Sequence, residues 1–433
     1  MNEARAYETI SRVLRLSRAP STYVGMGADQ GSATRLADNV ITQNVRSEGA
    51  WLSVECAWGR KHGSASTNDL SDGSLKDVVR RAEEIAKASP PDPEFMPLIG
   101  RDEAKKYLET RRWFPRTLEL TPLDKARHLV AAVRKVKSRG LRVSGAYSTS
   151  GWIYAIGNSA GLRGFTRSTS AEIHLTALGK AGSGWAQELA EDAGEMDPVR
   201  VAAEAADIGA RAQKPSDLPA GKYTVIMRPA ATAELLSFLI YGLDAKATDE
   251  GHTFMRGKLG KKVFGGNFTL RSDPADPRCP GGPFHGDGMA TRAIDWIRNG
   301  TVENLAYSRY WAKKKNKKPT WGPENVIVDG EGKAVDEMIA STERGLLITR
   351  FWYIRTVDPM VPSVTGMTRD GLFLIENGRI KRPVKNMRFN ENLVDMLNRV
   401  EATGEPQKAG EWSGFLVPAL QVRDFNFTST TKF

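Results

Sequence analysis

Residues 212–221 read AQKPSDLPAG, with two prolines, one glycine and no apolar periodicity, so neither a helix nor a strand runs through them. The chain is 433 residues long, more than one ordinary hydrophobic core accommodates. The break therefore predicts two domains, 1–211 and 222–433, joined by the linker 212–221. The patterns on either side differ. The first half mixes helices and strands, and the second is β-rich with occasional helices. The expected fold class is α/β in the broad, α+β sense.

In the first half, SLKDVVRRAEEIAKA (74–88) reads as a helix capped by Ser74 with Asp77 three residues on. Leu75, Val78, Val79, Ala82 and Ile85 would form its core stripe. SPPDPEFMP then breaks the chain. In TPLDKARHLVAAVRKVKSRG (121–140), Thr121 is the expected cap, Pro122 opens the helix and Gly140 stops it. LRVSGAY, SGWIYAIGN and SAEIHLTAL read as three strands, with His174 beside Glu172 and Thr176 on the polar side of the last. Another helix should begin at Asp197-Pro198.

In the second half, RAIDWIRNGTVENLAY and GLFLIENGRIKRPV read as hairpins turning at Asn299-Gly300 and Asn377-Gly378. A type I′ turn needs positive φ at both central residues, which Asn-Gly supplies at low cost. Helices are expected near 335–343 and 390–401.

The 40% hydrophobic and 26% charged composition is that of a globular protein, and no apolar run reaches the roughly 18–20 residues of a membrane span. The N-terminus reads as an amphipathic helix with Ile10, Val13 and Leu14 on one face, not as a signal peptide. Two cysteines, Cys56 and Cys279, suit a reducing compartment. The expectation is a cytoplasmic protein. Cys56, in WLSVECAW, falls on the buried side of a strand with Leu52, Val54 and Trp58.

The net charge of +11 leaves an acidic partner or nucleic acid open. Much of the excess is local: WAKKKNKKPTW sets Lys313, Lys314, Lys315, Lys317 and Lys318 between two tryptophans, and basic residues with aromatics suit a phosphate backbone and stacked bases. A solvated loop is the plainer reading, because no recognisable nucleic-acid fold surrounds the run.

Nucleophile elbows and dinucleotide fingerprints are absent, and GHTFMRGKLG lacks the spacing and hydroxyl of a P-loop. The five histidines, His62, His128, His174, His252 and His285, form no i, i+3 or i, i+4 pair for zinc. His252, Cys279 and His285 make a weak alternative metal set. The apolar helix in ATAELLSFLIYGLDAKATDEGHTFMRG (231–257) reads as core, with Leu236, Ile240 and Leu243 in one stripe, Leu235 and Leu239 beside it, and Glu234, Ser237 and Tyr241 along a polar edge.

The second half resembles the C-terminal domain of the TldD/PmbA family, the modulator of DNA gyrase proteins, whose catalytic members are zinc metallopeptidases. The matching pieces run in order: GKYTVIMRPAATAELL, GHTFMRGKLGKKVF, DGMATRAIDWIRNGTVENLAYSRYWAKK, MIASTERGLLITRF, DGLFLIENGRIKRPVKNMRFNENLVDMLNRV and VPALQVRDFNFT. GSATRLADNVITQNV resembles the family's early strand pair more loosely.

The resemblance implies that TldD-like catalytic subunits carry HExxxH on the helix after this strand, with a later cysteine as third zinc ligand, whereas TldE/PmbA-like subunits lack both. Here Leu236, Ser237 and Tyr241 stand at the HExxxH positions, and VEATGEPQKAGEWSGF (400–415) has no cysteine. Leucine offers no lone pair, neutral tyrosine is a poor ligand, and serine cannot replace glutamate as a general base. The resemblance thus implies a metal-free subunit with no cofactor of its own. It would pair with a zinc-bearing TldD-like chain and act on peptides or unfolded small proteins. A self-sufficient peptidase with an atypical metal site, a nucleic-acid-binding regulator and a homodimeric scaffold are the alternatives.

Overall fold

The computed structural model describes residues 1–102, 104, 106–410 and 414–431. Its N-terminal part is mixed α/β. The strands are β1 (Ser21–Ala37), β2 (Val40–Trp58), β3 (Lys61–Thr67), β4 (Arg142–Asn158), β5 (Arg163–Leu178) and β6 (Ser183–Ala190). The helices are α1 (Glu3–Leu16), α2 (Asp72–Ala88), α3 (Pro115–Glu119), α4 (Pro122–Lys137) and α5 (Pro198–Arg211). Among the described residues the strands form one antiparallel sheet in the order β3-β2-β1-β4-β5-β6.

Alternation dictates which face is covered. Val24, Met26, Leu52, Val54 and Cys56 meet Ile10, Val13, Leu75 and Val78 of α1 and α2. Val143, Tyr147, Ile173 and Leu175 meet Leu129, Ala132, Val201 and Ala205 of α4 and α5. The small residues of α5 bring it hard against the sheet: a Cβ on Gly184 would lie 2.2 Å from the Gly209 nitrogen.

The C-terminal part is more β-rich. β7 (Gly221–Met227) leads into α6 (Pro229–Ile240) and α7 (Ala245–Asp249). β8 (Leu270–Ser272), β9 (Ile294–Arg298), β10 (Thr301–Val302), α8 (Arg309–Lys314), β11 (Val326–Val328) and α9 (Val335–Ala340) follow. The chain ends with β12 (Arg344–Asp358), β13 (Ser363–Glu376), β14 (Arg379–Pro383), β15 (Met387–Asn392), α10 (Leu393–Leu397), β16 (Val400–Thr403), β17 (Gln407–Lys408), β18 (Phe415–Val417) and β19 (Leu420–Thr430). Pairing runs β12-β7-β19-β15-β13 and returns to β12, closing a barrel. Closure removes the open edges that an isolated sheet would expose. Phe351, Phe389, Phe425 and Phe427 are buried together, with successive ring centroids 4.7–5.4 Å apart. A smaller sheet, β10-β9-β8-β11-β18-β17, lies beside the barrel in the topology.

The two parts meet through apolar contacts, Ile208 with Ile226 and Leu347 and Ile156 with Phe284, and through polar ones. Ser183 donates to the Asp370 carboxylate at 2.6 Å, Gln187 donates to the Gly410 carbonyl at 3.0 Å, and Lys246 pairs with Glu94 at 2.7 Å. Residues 212–221 are themselves tied down, since the Ser216 amide donates to the Pro383 carbonyl at 3.3 Å.

Several sequence expectations hold. Thr121 and Asp124 form a reciprocal capping box, and Asp197 caps α5. Both Asn-Gly turns carry positive φ: 48° and 80° at Asn299 and Gly300, and 51° and 72° at Asn377 and Gly378. Others are corrected. α2 begins at Asp72 with Ser71, not Ser74, in the cap position, and Ile85 is 45% exposed while Ala86 takes the buried place. LRVSGAY and SGWIYAIGN belong to one strand, because both flanks of Ser148-Thr149-Ser150 find ladder partners in β1 and β5. The helix expected at 390–401 shrinks to Leu393–Leu397. Asn392 spends its side chain capping it, and Val400 has already joined a strand. Among the described residues no helix is long and apolar enough to cross a membrane.

Candidate functional site

α6 follows β7 through Arg228-Pro229, where proline at the first helical position suits a turn whose amides are unpaired anyway. The helix puts its two sides to different uses. Leu235, Leu236 and Leu239 are buried in the barrel-side core, and Leu236 is 0% exposed. Ser237 is half-buried, and its hydroxyl donates to the Glu234 carbonyl at 2.7 Å. α6 then tightens into a 3₁₀ turn at Tyr241–Leu243, which leaves Tyr241 72% exposed.

The outer side of α6 forms one wall of a groove of about 430 Å³. Glu234, Ser237 and Tyr241 face Arg350, Trp352 and Tyr353 of β12 across it. The β12–β13 register slips between Trp352 and Arg355, and Tyr353 adopts φ 55°. Such an irregularity re-aims side chains. Here it leaves the adjacent Trp352 and Tyr353 rings 5.7 Å apart and both exposed. Arg355 lies over Tyr353 at 4.4 Å and Arg369 over Trp352 at 4.0 Å, two cation–π contacts that stiffen this wall. Sequence reasoning passed over it. Its signal is the Phe-Trp-Tyr-Ile run at 351–354, where consecutive aromatics cannot all point into one barrel.

The donors present do not fit zinc. A fully buried leucine, a serine hydroxyl bonded to its own helix and an exposed phenol offer no converging lone pairs. Among the described residues no three His, Cys, Asp or Glu side chains gather as a metal-binding group. That includes His252, Cys279 and His285. His252 is exposed in the turn after α7, where its amide donates to the Ala247 carbonyl at 2.7 Å. Cys279 is 1% exposed against Ile327 and Leu416, and burial pushes its thiol up to about 11. His285 Nδ1 lies 2.9 Å from the Glu324 carboxylate and the ring stacks on Trp321. In 400–415, residues Glu411, Trp412 and Ser413 lie outside the described residues.

The lysine run is half helix. Lys313 and Lys314 end α8, whereas Lys315, Lys317 and Lys318 follow it, all five exposed. Its two tryptophans are not a stacking platform. Trp311 is buried, and its Nε1 donates to Asp249 at 2.7 Å, while Lys314 lies over the ring at 4.4 Å. Lys315 pairs with Asp249 at 3.1 Å.

A second cavity, about 450 Å³, opens where the two parts meet. His62 sits there between Asp92 at 3.0 Å and Glu55 at 3.5 Å. Burial holds the nearby Asp287 carboxyl above the usual range. A lone histidine in KHGSAST carries no sequence signal for this setting, because its partners come from a neighbouring strand and a distant loop.

Two family models match the chain. Residues 220–429 match the PmbA/TldA metallopeptidase C-terminal domain and 28–86 match PmbA/TldA metallopeptidase domain 1. The chain belongs to the TldD/PmbA family. Metalloprotease PmbA of Escherichia coli O157:H7 is 24% identical over 441 residues, covering 96% of this chain and 95% of that protein. In fold, the chain is similar to TldE from Thermococcus kodakarensis, with a TM-score of 0.88 at 18% identity, covering 97% of this chain and 100% of that one. A candidate modulator of DNA gyrase from Thermotoga maritima superposes with a TM-score of 0.87 at 19% identity, covering 98% and 100%. This TldD/PmbA family member is thus similar to proteins named for metalloprotease activity, yet its described residues hold no obvious metal-binding cluster.

Proposed function

We propose that this chain is the non-catalytic subunit of a TldD/TldE-type peptidase complex, with 1–211 and 222–433 as its two units. Peptide cleavage would reside in a TldD-like partner carrying HExxxH and zinc, and the substrates would be peptides or small unfolded proteins. The observation that carries this reading is Leu236. At the position aligned with the first zinc-binding histidine stands a hydrocarbon side chain with no exposed surface, held among Leu235, Leu239 and the barrel core. Ser237 and Tyr241, aligned with the glutamate and second histidine, flank a groove walled by Trp352 and Tyr353. Such a groove suits an extended peptide or an aromatic anchor from the partner, and offers no group to activate water.

The test is co-purification of the native protein from its source, followed by zinc analysis and peptidase assays on each chain. The expected result is a companion chain carrying HExxxH, with zinc and activity confined to that companion. Stoichiometric zinc and peptidase activity in this chain alone would defeat the proposal. So would native protein that never contains a second kind of chain.

A further inference from the structure

The buried stripe of α4 is Lys125, Leu129, Ala132 and Val136. A lysine thus takes the first place on an apolar face, and it is 0% exposed. Its surroundings come from the sheet. Arg46, Ser32 and Thr149 are directly opposed across β2, β1 and β4, so their side chains form one row on the face that α4 packs against. Lys125 Nζ reaches that row. It lies 2.9 Å from the Ser32 carbonyl, 2.7 Å from Thr149 Oγ1 and within hydrogen-bond contact of Ser32 Oγ. The two hydroxyls are 3.3 Å apart.

A fully buried lysine is rare unless a carboxylate pairs with it. Among the described residues none does so here. Asp124 is spent on the α4 cap, Glu119 is exposed at the rim, and His128, further along α4, stacks on Tyr147 of β4. Desolvation therefore favours the neutral amine. A neutral amine has two N–H donors and one lone pair, and its three neighbours match that set. The Ser32 carbonyl and Thr149 accept, which leaves the lone pair for the Ser32 hydroxyl proton. Ser32 also borders a cavity of about 220 Å³ that Thr149, Arg46 and the turn from Leu118 to Pro122 complete. The pair is buried at the base and open at the hydroxyl.

We propose that Ser32 and Lys125 form a serine–lysine nucleophilic pair that accepts the acyl group of a small ester. Lys125 Nζ takes the Ser32 proton as Oγ bonds to the acyl carbon. The ester C–O bond then breaks, and the ammonium returns the proton to the leaving oxygen as an alcohol. Water, deprotonated by the same amine, cleaves the acyl-serine to a carboxylic acid and restores the Ser32 hydroxyl. The Ser32 carbonyl and Thr149 hold the ammonium between the two steps. Arg46 on the same row is the cation that meets the oxyanion, because its exposed ion pair with Glu48 is worth little. The cavity is smaller than the roughly 300–1,000 Å³ of sites for drug-sized ligands, so the acyl group is short. The argument is independent of the peptidase reading, which concerns α6.

A fluorophosphonate, which phosphonylates activated serines, tests the pair in the purified full-length chain. One adduct is expected, placed at Ser32 by peptide mass spectrometry, indifferent to a metal chelator and absent from Ser32→Ala. Its rate should rise about tenfold per pH unit and level off above about pH 8, where Lys125 is neutral. Lys125→Met should label about 100-fold more slowly or less, and hydrolysis of p-nitrophenyl acetate should fall by a similar factor in both variants. Unchanged thermal melting would show that the variants fold. Should Lys125→Met not fold, the adduct site and pH profile of the unaltered chain still decide. A chain that forms no adduct at Ser32 overturns the proposal. So does a Ser32 adduct whose rate is flat with pH below 8, or one that a folded Lys125→Met forms equally fast.

Discussion

The Phe351 amide donates to the Glu234 carboxylate at 2.6 Å, tying the solvent side of α6 to barrel strand β12. This bond joins the two walls of the groove, about two turns of helix before Tyr241. Hydrogen bonds to charged groups contribute about 1.5–3 kcal/mol. Glu234→Ala should therefore lower stability by roughly that amount, and Glu234→Gln, which keeps an acceptor, by less. Urea unfolding of the two variants checks the order. Equal losses would show that the acceptor is immaterial.

Rebuilding the motif should not rebuild the metal site. Leu236→His puts a polar ring into a packed apolar core, which costs about 2–5 kcal/mol in lost packing and desolvation. The triple variant Leu236→His, Ser237→Glu, Tyr241→His still has one candidate ligand facing the core and another facing solvent. The expected outcome is a lower melting temperature and no stoichiometric zinc by elemental analysis. A stably folded variant holding one zinc per chain would contradict the orientation of α6 described above.

Lys125 gives the protein an alkaline stability slope. Its ammonium is buried under α4, donating to the Ser32 carbonyl at 2.9 Å, to the Ser32 hydroxyl and to Thr149 at 2.7 Å. No carboxylate offsets its desolvation, and burial brings its pKa down to about 8. Between pH 8 and about 10.5 the unfolded chain binds more protons at this residue than the folded one, so its contribution to stability rises with pH by up to about 1.4 kcal/mol per unit. Groups whose pKa burial raises act with the opposite sign: Cys279, pushed up to about 11, from about pH 8.5, and Tyr107 and Tyr147, held up to about 12, above about pH 10. Urea unfolding from pH 7.5 to 10 should give a more positive slope of stability against pH in the wild type than in Lys125→Met, which keeps the opposing thiol and tyrosine contributions.

Both thiols should be silent in the native state. Cys56 lies in the core between β2 and the N-terminal helices, where burial raises its pKa, and Cys279 is pushed up to about 11. A thiol needs its thiolate and an open path to react. Native protein at pH 8 is expected to leave a disulfide-exchange reagent unreacted, and denatured protein to release two equivalents. Fast labelling of either cysteine without unfolding would mean that its burial is transient.

What was legible in the sequence was local. Asn299-Gly300 and Asn377-Gly378 announced their turns because only a few residue types tolerate consecutive positive φ. Thr121 announced α4 because its capping partner Asp124 lies three residues away. The core side of α6 was legible in the same manner, from the spacing of Leu235, Leu236 and Leu239. Where two local signals compete, long-range pairing decided. The polar Ser148-Thr149-Ser150 looks like a break, yet β1 and β5 satisfy its backbone on both sides. Ser74 is as good a cap as Ser71 by type, but it lies inside α2 with its hydroxyl 2.8 Å from that of Thr67 in β3.

The residue chemistry of the α6 positions was settled by sequence alone. No fold can turn leucine, serine and tyrosine at 236, 237 and 241 into the ligands and base of a zinc peptidase, because donor capacity belongs to the side chain. What surrounds those residues came only with the tertiary structure. The bulged Trp352-Tyr353 wall, the bond from Phe351 to Glu234 and the contact of Lys125 with Ser32 join segments separated by up to 117 positions or depend on the register of a neighbouring strand. Periodicity reports which face of an element is apolar. It is silent on which element arrives to cover that face.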